Sequence, residues 1–130
     1  HSNAHGVLLW TRYVDKFAAA YPESNTSYDW LIEKNTFTRN GKAVCIAADR
    51  DHGIRSAPEE ECGKLESRPH DHIIRENEIQ DNRIAVDLFR ADRTVIENNI
   101  MTQNVETNIR AEDTSETTVR NNLGSVAGYL

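Results

Sequence analysis

Asp87 is the residue of this sequence whose setting best suits proton transfer. It stands in the run Arg83-Ile84-Ala85-Val86-Asp87-Leu88-Phe89-Arg90. There Ile84, Val86 and Leu88 alternate with Arg83, Ala85, Asp87 and Phe89, the two-residue period of a β-strand. Both faces carry apolar groups, so the strand is expected to be covered on both sides. A carboxylate desolvated beside Ala85 and Phe89 has its pKa raised towards the range useful for acid or base catalysis. Arg83 lies on the same face four residues earlier, and an ion pair with it would pull that pKa back down. A structural Arg83–Asp87 salt bridge is therefore the competing reading.

Other clusters invite metal chemistry. His70-Asp71-His72 supplies two imidazoles and a carboxylate, a set that suits zinc or iron. In an extended segment, however, the two histidines share a face and Asp71 takes the other, so a solvated loop competes with a metal site. Asp49-Arg50-Asp51-His52-Gly53, followed by Glu59 and Glu60, approaches a calcium loop with its glycine one position early. Cys45 and Cys62 either pair or stay reduced.

The elements that must position these groups follow from local pattern. Leu9, Trp10, Tyr13, Val14, Phe17, Ala18 and Tyr21 recur at three- and four-residue steps, which predicts an amphipathic helix over Val7 to Tyr21, stopped by Pro22. Strands are expected over Ser27 to Lys34 and Lys42 to Ala48, the second buried and preceded by the turn pair Asn40-Gly41. The Asp87 strand and the β-branched run Thr94-Val95-Ile96, joined by Ala91-Asp92-Arg93, read as a hairpin. Beyond Gln103 the chain is rich in Asn, Thr and Glu and its pattern does not choose between a further strand, a helix and a tail. No internal repeat and no glycine-rich phosphate loop stands out.

At 130 residues and 38% hydrophobic the chain has the size of one domain. Its 15 basic and 21 acidic residues, net −6, offer no basic stripe for a nucleic acid backbone. No apolar run approaches a membrane span and no secretory leader is recognisable, so a soluble cytoplasmic protein is expected.

The hairpin residues, Asp87-Leu88-Phe89-Arg90 followed by Val95-Ile96-Glu97 and Gln103, resemble the closing hairpin of the SnoaL-like polyketide cyclase family of the nuclear-transport-factor-two-like superfamily. Phe17-Ala18-Ala19-Ala20-Tyr21-Pro22 and Asn40-Gly41-Lys42-Ala43-Val44 are similar to that family's third helix and its Gly-Asp-x-Val hairpin, and His1 with Gly6 resembles the motif before that helix. The resemblance spans residues 1–103. It implies an α+β fold, a strongly curved mixed sheet wrapped around helices to form a cone-shaped pocket, often dimeric through the open sheet face. Three departures stand out. The family's two N-terminal helices have no counterpart, which implies a truncated domain with residues 104–130 as a C-terminal extension. Asn98-Asn99-Ile100 replaces a His-Trp-Asp stretch, and Arg93-Thr94 replaces a glycine turn.

What the resemblance implies for function is a cyclase, isomerase or lyase acting without cofactor or metal on a small hydrophobic molecule. Asp87 and His1 would transfer protons, and Trp10, Tyr13, Trp30, Arg83, Phe89 and Glu97 would line the substrate. Two readings compete with it. One is a non-catalytic binding or homodimerisation module on the same fold. The other is a metal site at His70 and His72.

Overall fold

The computed structural model describes residues 3–11, 26–48 and 68–124. Every regular element among them is a β-strand. In chain order these are β1 (His5–Thr11), β2 (Leu31–Glu33), β3 (Thr36–Thr38), β4 (Lys42–Ala48), β5 (Ile73–Arg75), β6 (Glu78–Gln80), β7 (Ile84–Phe89), β8 (Val95–Glu97), β9 (Ile100–Thr102), β10 (Thr107–Glu112) and β11 (Thr118–Arg120).

The strands form three sheets, in the orders β1-β4-β7-β10, β11-β8-β5-β2 and β3-β6-β9, and every pairing within them is parallel. Successive strands in the chain lie in different sheets, and each strand pairs with the one three elements further on. The chain therefore winds as a solenoid, one strand in each of three sheets per turn.

The corners are set by backbone conformation. Lys34, Glu76, Asn98 and Asn121 follow β2, β5, β8 and β11, and Arg39, Asp81 and Gln103 follow β3, β6 and β9. All seven have φ between 55° and 59°. At these corners one left-handed residue turns the chain out of one sheet and into the next, at a conformational cost that Asn and Asp bear more easily than most residues.

An asparagine follows each of these seven left-handed residues, buried or half-buried except for the exposed Asn35, and its amide ties one turn to the next. The Asn35, Asn77 and Asn99 amides donate to Oδ1 of Asn77, Asn99 and Asn122 at 3.0–3.2 Å. The backbone N–H groups of the same three residues donate to the same oxygens at 3.0 Å. A second ladder runs from Asn40 through Asn82 to Asn104. The side-chain amides also cap corner carbonyls, Asn77 on Ile32, Asn99 on Ile74, Asn122 on Ile96 and Asn82 on Phe37, so buried backbone oxygens find donors.

The core is a set of columns, one side chain per turn. Leu9, Ile46 and Leu88 stack in register, as do Val44, Val86 and Ile109, then Ile32, Ile74, Ile96 and Val119, and finally Phe37, Ile79 and Met101. The sequence carries this as a repeat, an apolar residue and then Asn three positions later, twice per turn: Ile32/Asn35 and Phe37/Asn40, Ile74/Asn77 and Ile79/Asn82, Ile96/Asn99 and Met101/Asn104, with Val119/Asn122 opening the last turn. The expectation of no internal repeat is thus corrected. The first interval is 42 residues and the later ones 22 and 23, so a fixed period fails across residues 49–67.

The α+β cone is overturned. No helix occurs among the described residues, and parallel sheets replace the mixed sheet. The predicted helix over Val7 to Tyr21 begins inside β1, and the rest of that span, with His1 and Tyr13, lies outside the described residues. The run Lys42 to Ala48 is strand β4 and is buried apart from half-buried Lys42. Asn40-Gly41 joins two different sheets and closes no hairpin. The connection after β7 closes none either: Arg90 and Arg93, at φ 56° and 52°, divert the chain into the next sheet, where β8 pairs in parallel with β5 and β11. Residues 107–120 of the supposed extension form β10 and β11.

Gly6 marks the tightest approach between the first two turns. A Cβ there would lie 2.5 Å from the Ala43 carbonyl oxygen and 2.7 Å from Cδ1 of Phe37. Gly6→Ala must push backbone or core aside and is expected to cost about 1 kcal/mol, read from the urea midpoint at unchanged slope.

Candidate functional site

The inward residues of the β1-β4-β7-β10 sheet are taken up by the core, so its chemistry lies on the outward ones. Two in-register rows cross that face: Leu8, Cys45, Asp87 and Arg110, then Trp10, Ala47, Phe89 and Glu112. With His5, Lys42 and Leu88 they line a cleft of about 600 Å³, within the range of small-molecule sites.

Asp87 sits on the floor, 6% exposed. Its Oδ2 is 2.6 Å from Lys42 Nζ and 2.8 Å from Arg110 Nη2, and Arg110 Nε donates to Oδ1 at 3.1 Å. Burial pushes the carboxyl pKa up, but the hydrogen bonds and positive charges of Arg110 and Lys42 outweigh burial, and the group is held below its ordinary value. Asp87 is therefore ionised at neutral pH, and the elevated pKa expected from burial alone is not found. Its cations are not the expected one. Arg83 instead reaches Glu106 at 2.5 Å, and Glu106 meets Arg110 at 3.4 Å.

Cys45, one turn before Asp87, is a buried free thiol. Burial raises its pKa to about 11, with Lys42 lowering it and Asp87 raising it by smaller amounts. It is protonated and unreactive at neutral pH. Cys62 and the Asp49–Gly53 stretch lie outside the described residues.

Of the residues singled out in the sequence, Trp10, Asp87 and Phe89 meet in this cleft. Arg83 does not line it and is linked to it only through Glu106, which pairs with Arg110. Trp30 and Glu97 are elsewhere: Trp30 precedes β2 and its N–H donates to His72 Nδ1, and Glu97 on β8 pairs with Arg120 at 2.7 Å. His70 and His72 do not converge. His70 stacks on Tyr28 at 5.2 Å and bonds Asp71 at 2.7 Å, whereas His72 is fully buried against Ser27 Oγ at 3.1 Å. Among the described residues no three His, Cys, Asp or Glu side chains are grouped to hold a metal ion.

Sequence reasoning missed Lys42 and Arg110, the two partners of Asp87. Neither is near Asp87 in the chain; both reach it because parallel strands align residues whole turns apart. The signal that finds them is the asparagine repeat, which places Lys42 beside Ile84 and Arg110 beside Asp87.

No curated protein and no solved structure matches the chain. The family model described as the right-handed beta helix region matches residues 23–125. That match, with the all-parallel three-sheet coil, overturns the resemblance to SnoaL-like cyclases and with it the cofactor-free cyclase, isomerase or lyase and the binding module on the same α+β fold. The local strand pattern around Asp87 is common to both folds, but the partners of that strand are not. By its winding, its stacked columns and this match over most of its length, the chain belongs to the right-handed beta helix family.

Proposed function

We propose that the outer face of the β1-β4-β7-β10 sheet binds an extended glycan strand. The observation that carries this is the pairing of the two cleft rows: ionised hydrogen-bonding groups in one, Lys42 beside it, and aromatic rings two residues along in the other. A sugar ring has an apolar face, which suits Trp10 and Phe89, and a rim of hydroxyls, which suits Asp87, Lys42, Arg110 and Glu112. Adjacent strands are about 4.8 Å apart, close to the length of one sugar unit, so successive units meet successive turns of the coil. The floor groups are held in place by one another before any ligand arrives, which lowers the ordering cost of binding.

Asp87 serves here as an anchored acceptor. Its lowered pKa and two cations leave it no proton to give at neutral pH, which favours recognition over acid catalysis.

Calorimetric titration with a panel of neutral and acidic oligosaccharides tests the reading. Trp10→Ala and Asp87→Ala are each expected to weaken binding roughly tenfold, the loss of one stacking or charged hydrogen-bonding partner. Because Asp87 stays ionised, it is expected to add no pH dependence of its own to binding between about pH 5 and 8. Failure of every panel member to bind, or binding indifferent to both variants, overturns it.

A further inference from the structure

We propose that the glycan taken by this outer face is one whose linkages join equatorial positions on both sides of each ring, a flat ribbon in which every second unit shows the same face. The inference rests on the glycan reading above and narrows it to one class of chain.

Aromatic side chains occur at alternate turns of one outer row, and that spacing carries the argument. From β1 to β10 the row reads Trp10, Ala47, Phe89, Glu112 in register. Trp10 and Phe89 are thus two strand spacings apart, about 10 Å. Ala47, between them, is buried and forms the cleft floor at its turn. One unit of a chain lying along the coil stacks over Trp10 and the next but one over Phe89, while the unit between them crosses Ala47 with no ring beneath it.

The linkage decides whether a chain can do this. Where both bonds to a ring are equatorial the chain runs straight, each unit is turned over relative to the one before, and units two apart present the same face to a surface. An axial bond bends the chain at every linkage, so units two apart face different ways and the second aromatic contact is lost. Equatorial linkages also leave axial C–H bonds on the ring faces, the apolar surface that stacks on an aromatic ring.

The Phe89 ring is held for this contact. The guanidinium of buried Arg90 lies over one face of it, 5.6 Å from the ring centre. Arg90 Nε is itself 3.1 Å from Asp113 Oδ2 on the next turn. The face against Arg90 is therefore the inward one, and the opposite face is turned to the cleft that Phe89 lines. A ring fixed in this way loses little freedom when a sugar stacks on it.

Calorimetric titration of the whole chain with oligomers of two, three and four units tests the inference. Cello-, chito- and manno-oligosaccharides have diequatorial linkages, whereas those of malto-oligosaccharides and galacturonan oligomers include axial bonds. At least one diequatorial series is expected to bind, its affinity rising about tenfold from two units to three, because three is the shortest chain that reaches both rings. The axially linked series should show no such step. Phe89→Ala is expected to remove the step and Phe89→Tyr to retain it. Trp10→Ala, at an exposed position, should remove it as well, which keeps the test decisive if Phe89→Ala does not fold. A step that survives Trp10→Ala, an equal step in an axially linked series, or no step in any diequatorial series while some oligosaccharide binds overturns this inference alone. Binding of no oligosaccharide overturns it together with the glycan reading.

Discussion

Asn77→Ala is expected to destabilise the protein by about 3 kcal/mol, more than any single exposed substitution. The Asn77 side chain is 1% exposed and serves two neighbouring turns. Its Oδ1 accepts from the Asn35 N–H at 3.0 Å, and its amide donates to the Ile32 carbonyl and Asn99 Oδ1, each at 3.0 Å. Truncation leaves the buried Ile32 carbonyl without that donor and opens a gap no neighbouring apolar side chain fills. Asn77→Asp separates the parts of this effect. It keeps the acceptor for Asn35, loses both amide donations and sets a carboxylate against the Ile32 oxygen, so it should cost at least as much as alanine. Asn121→Ala is the control: Asn121 is exposed at the same kind of corner and holds φ 55°, so only its left-handed conformation is penalised, by about 1 kcal/mol. Urea unfolding of the three variants gives the order.

Acid is expected to unfold the protein from an unusual starting point, with stability falling by about 2 kcal/mol as the pH drops from near 7 towards 4. The cause is His72, fully buried in the corner before β5. Its Nδ1 accepts from the Trp30 N–H at 3.1 Å, so the proton of the neutral ring is on Nε2, facing Ser27 Oγ at 3.1 Å. Burial, aided by the charge of His70, lowers its pKa from 6.5 to about 4. The sign follows from linkage. In the unfolded chain His72 takes up a proton near pH 6.5, whereas in the folded one it resists until about pH 4. Protonation therefore favours unfolding across that window, and the stability is fully present above it. A second acid-labile part arises in carboxylates such as Asp87, whose lowered pKa gives stability lost at still lower pH. His72→Gln, which cannot titrate, should flatten the upper window alone in thermal melts taken from about pH 7 to 4. Unchanged pH dependence in that variant would show that other groups carry it.

The sequence by itself determined the local rules. The alternation at Ile84 to Phe89 specified a strand with Val86 and Leu88 on one face and Asp87 and Phe89 on the other, and Lys42 to Ala48 was legible as a buried strand from its unbroken small apolar run. It also contained the ladder, since asparagines paired five positions apart recur three times, from Asn35 to Asn104. The helix expected at Val7 to Tyr21 failed in its first residues because Val7 and Leu9 on one face, with Leu8 and Trp10 on the other, satisfy a two-residue period as well as a helical one, and pairing with β4 decided between them.

Tertiary structure decided what those strands meet. A short polar link after Phe89 is compatible with reversal into a hairpin or diversion into another sheet, and only the left-handed Arg90 and Arg93, fixed by the turns stacked on them, select the second. The candidate site has the same origin. Lys42, Asp87 and Arg110 are too far apart in the chain for any local pattern to join them, and a parallel register that repeats once per turn places them within hydrogen-bonding distance.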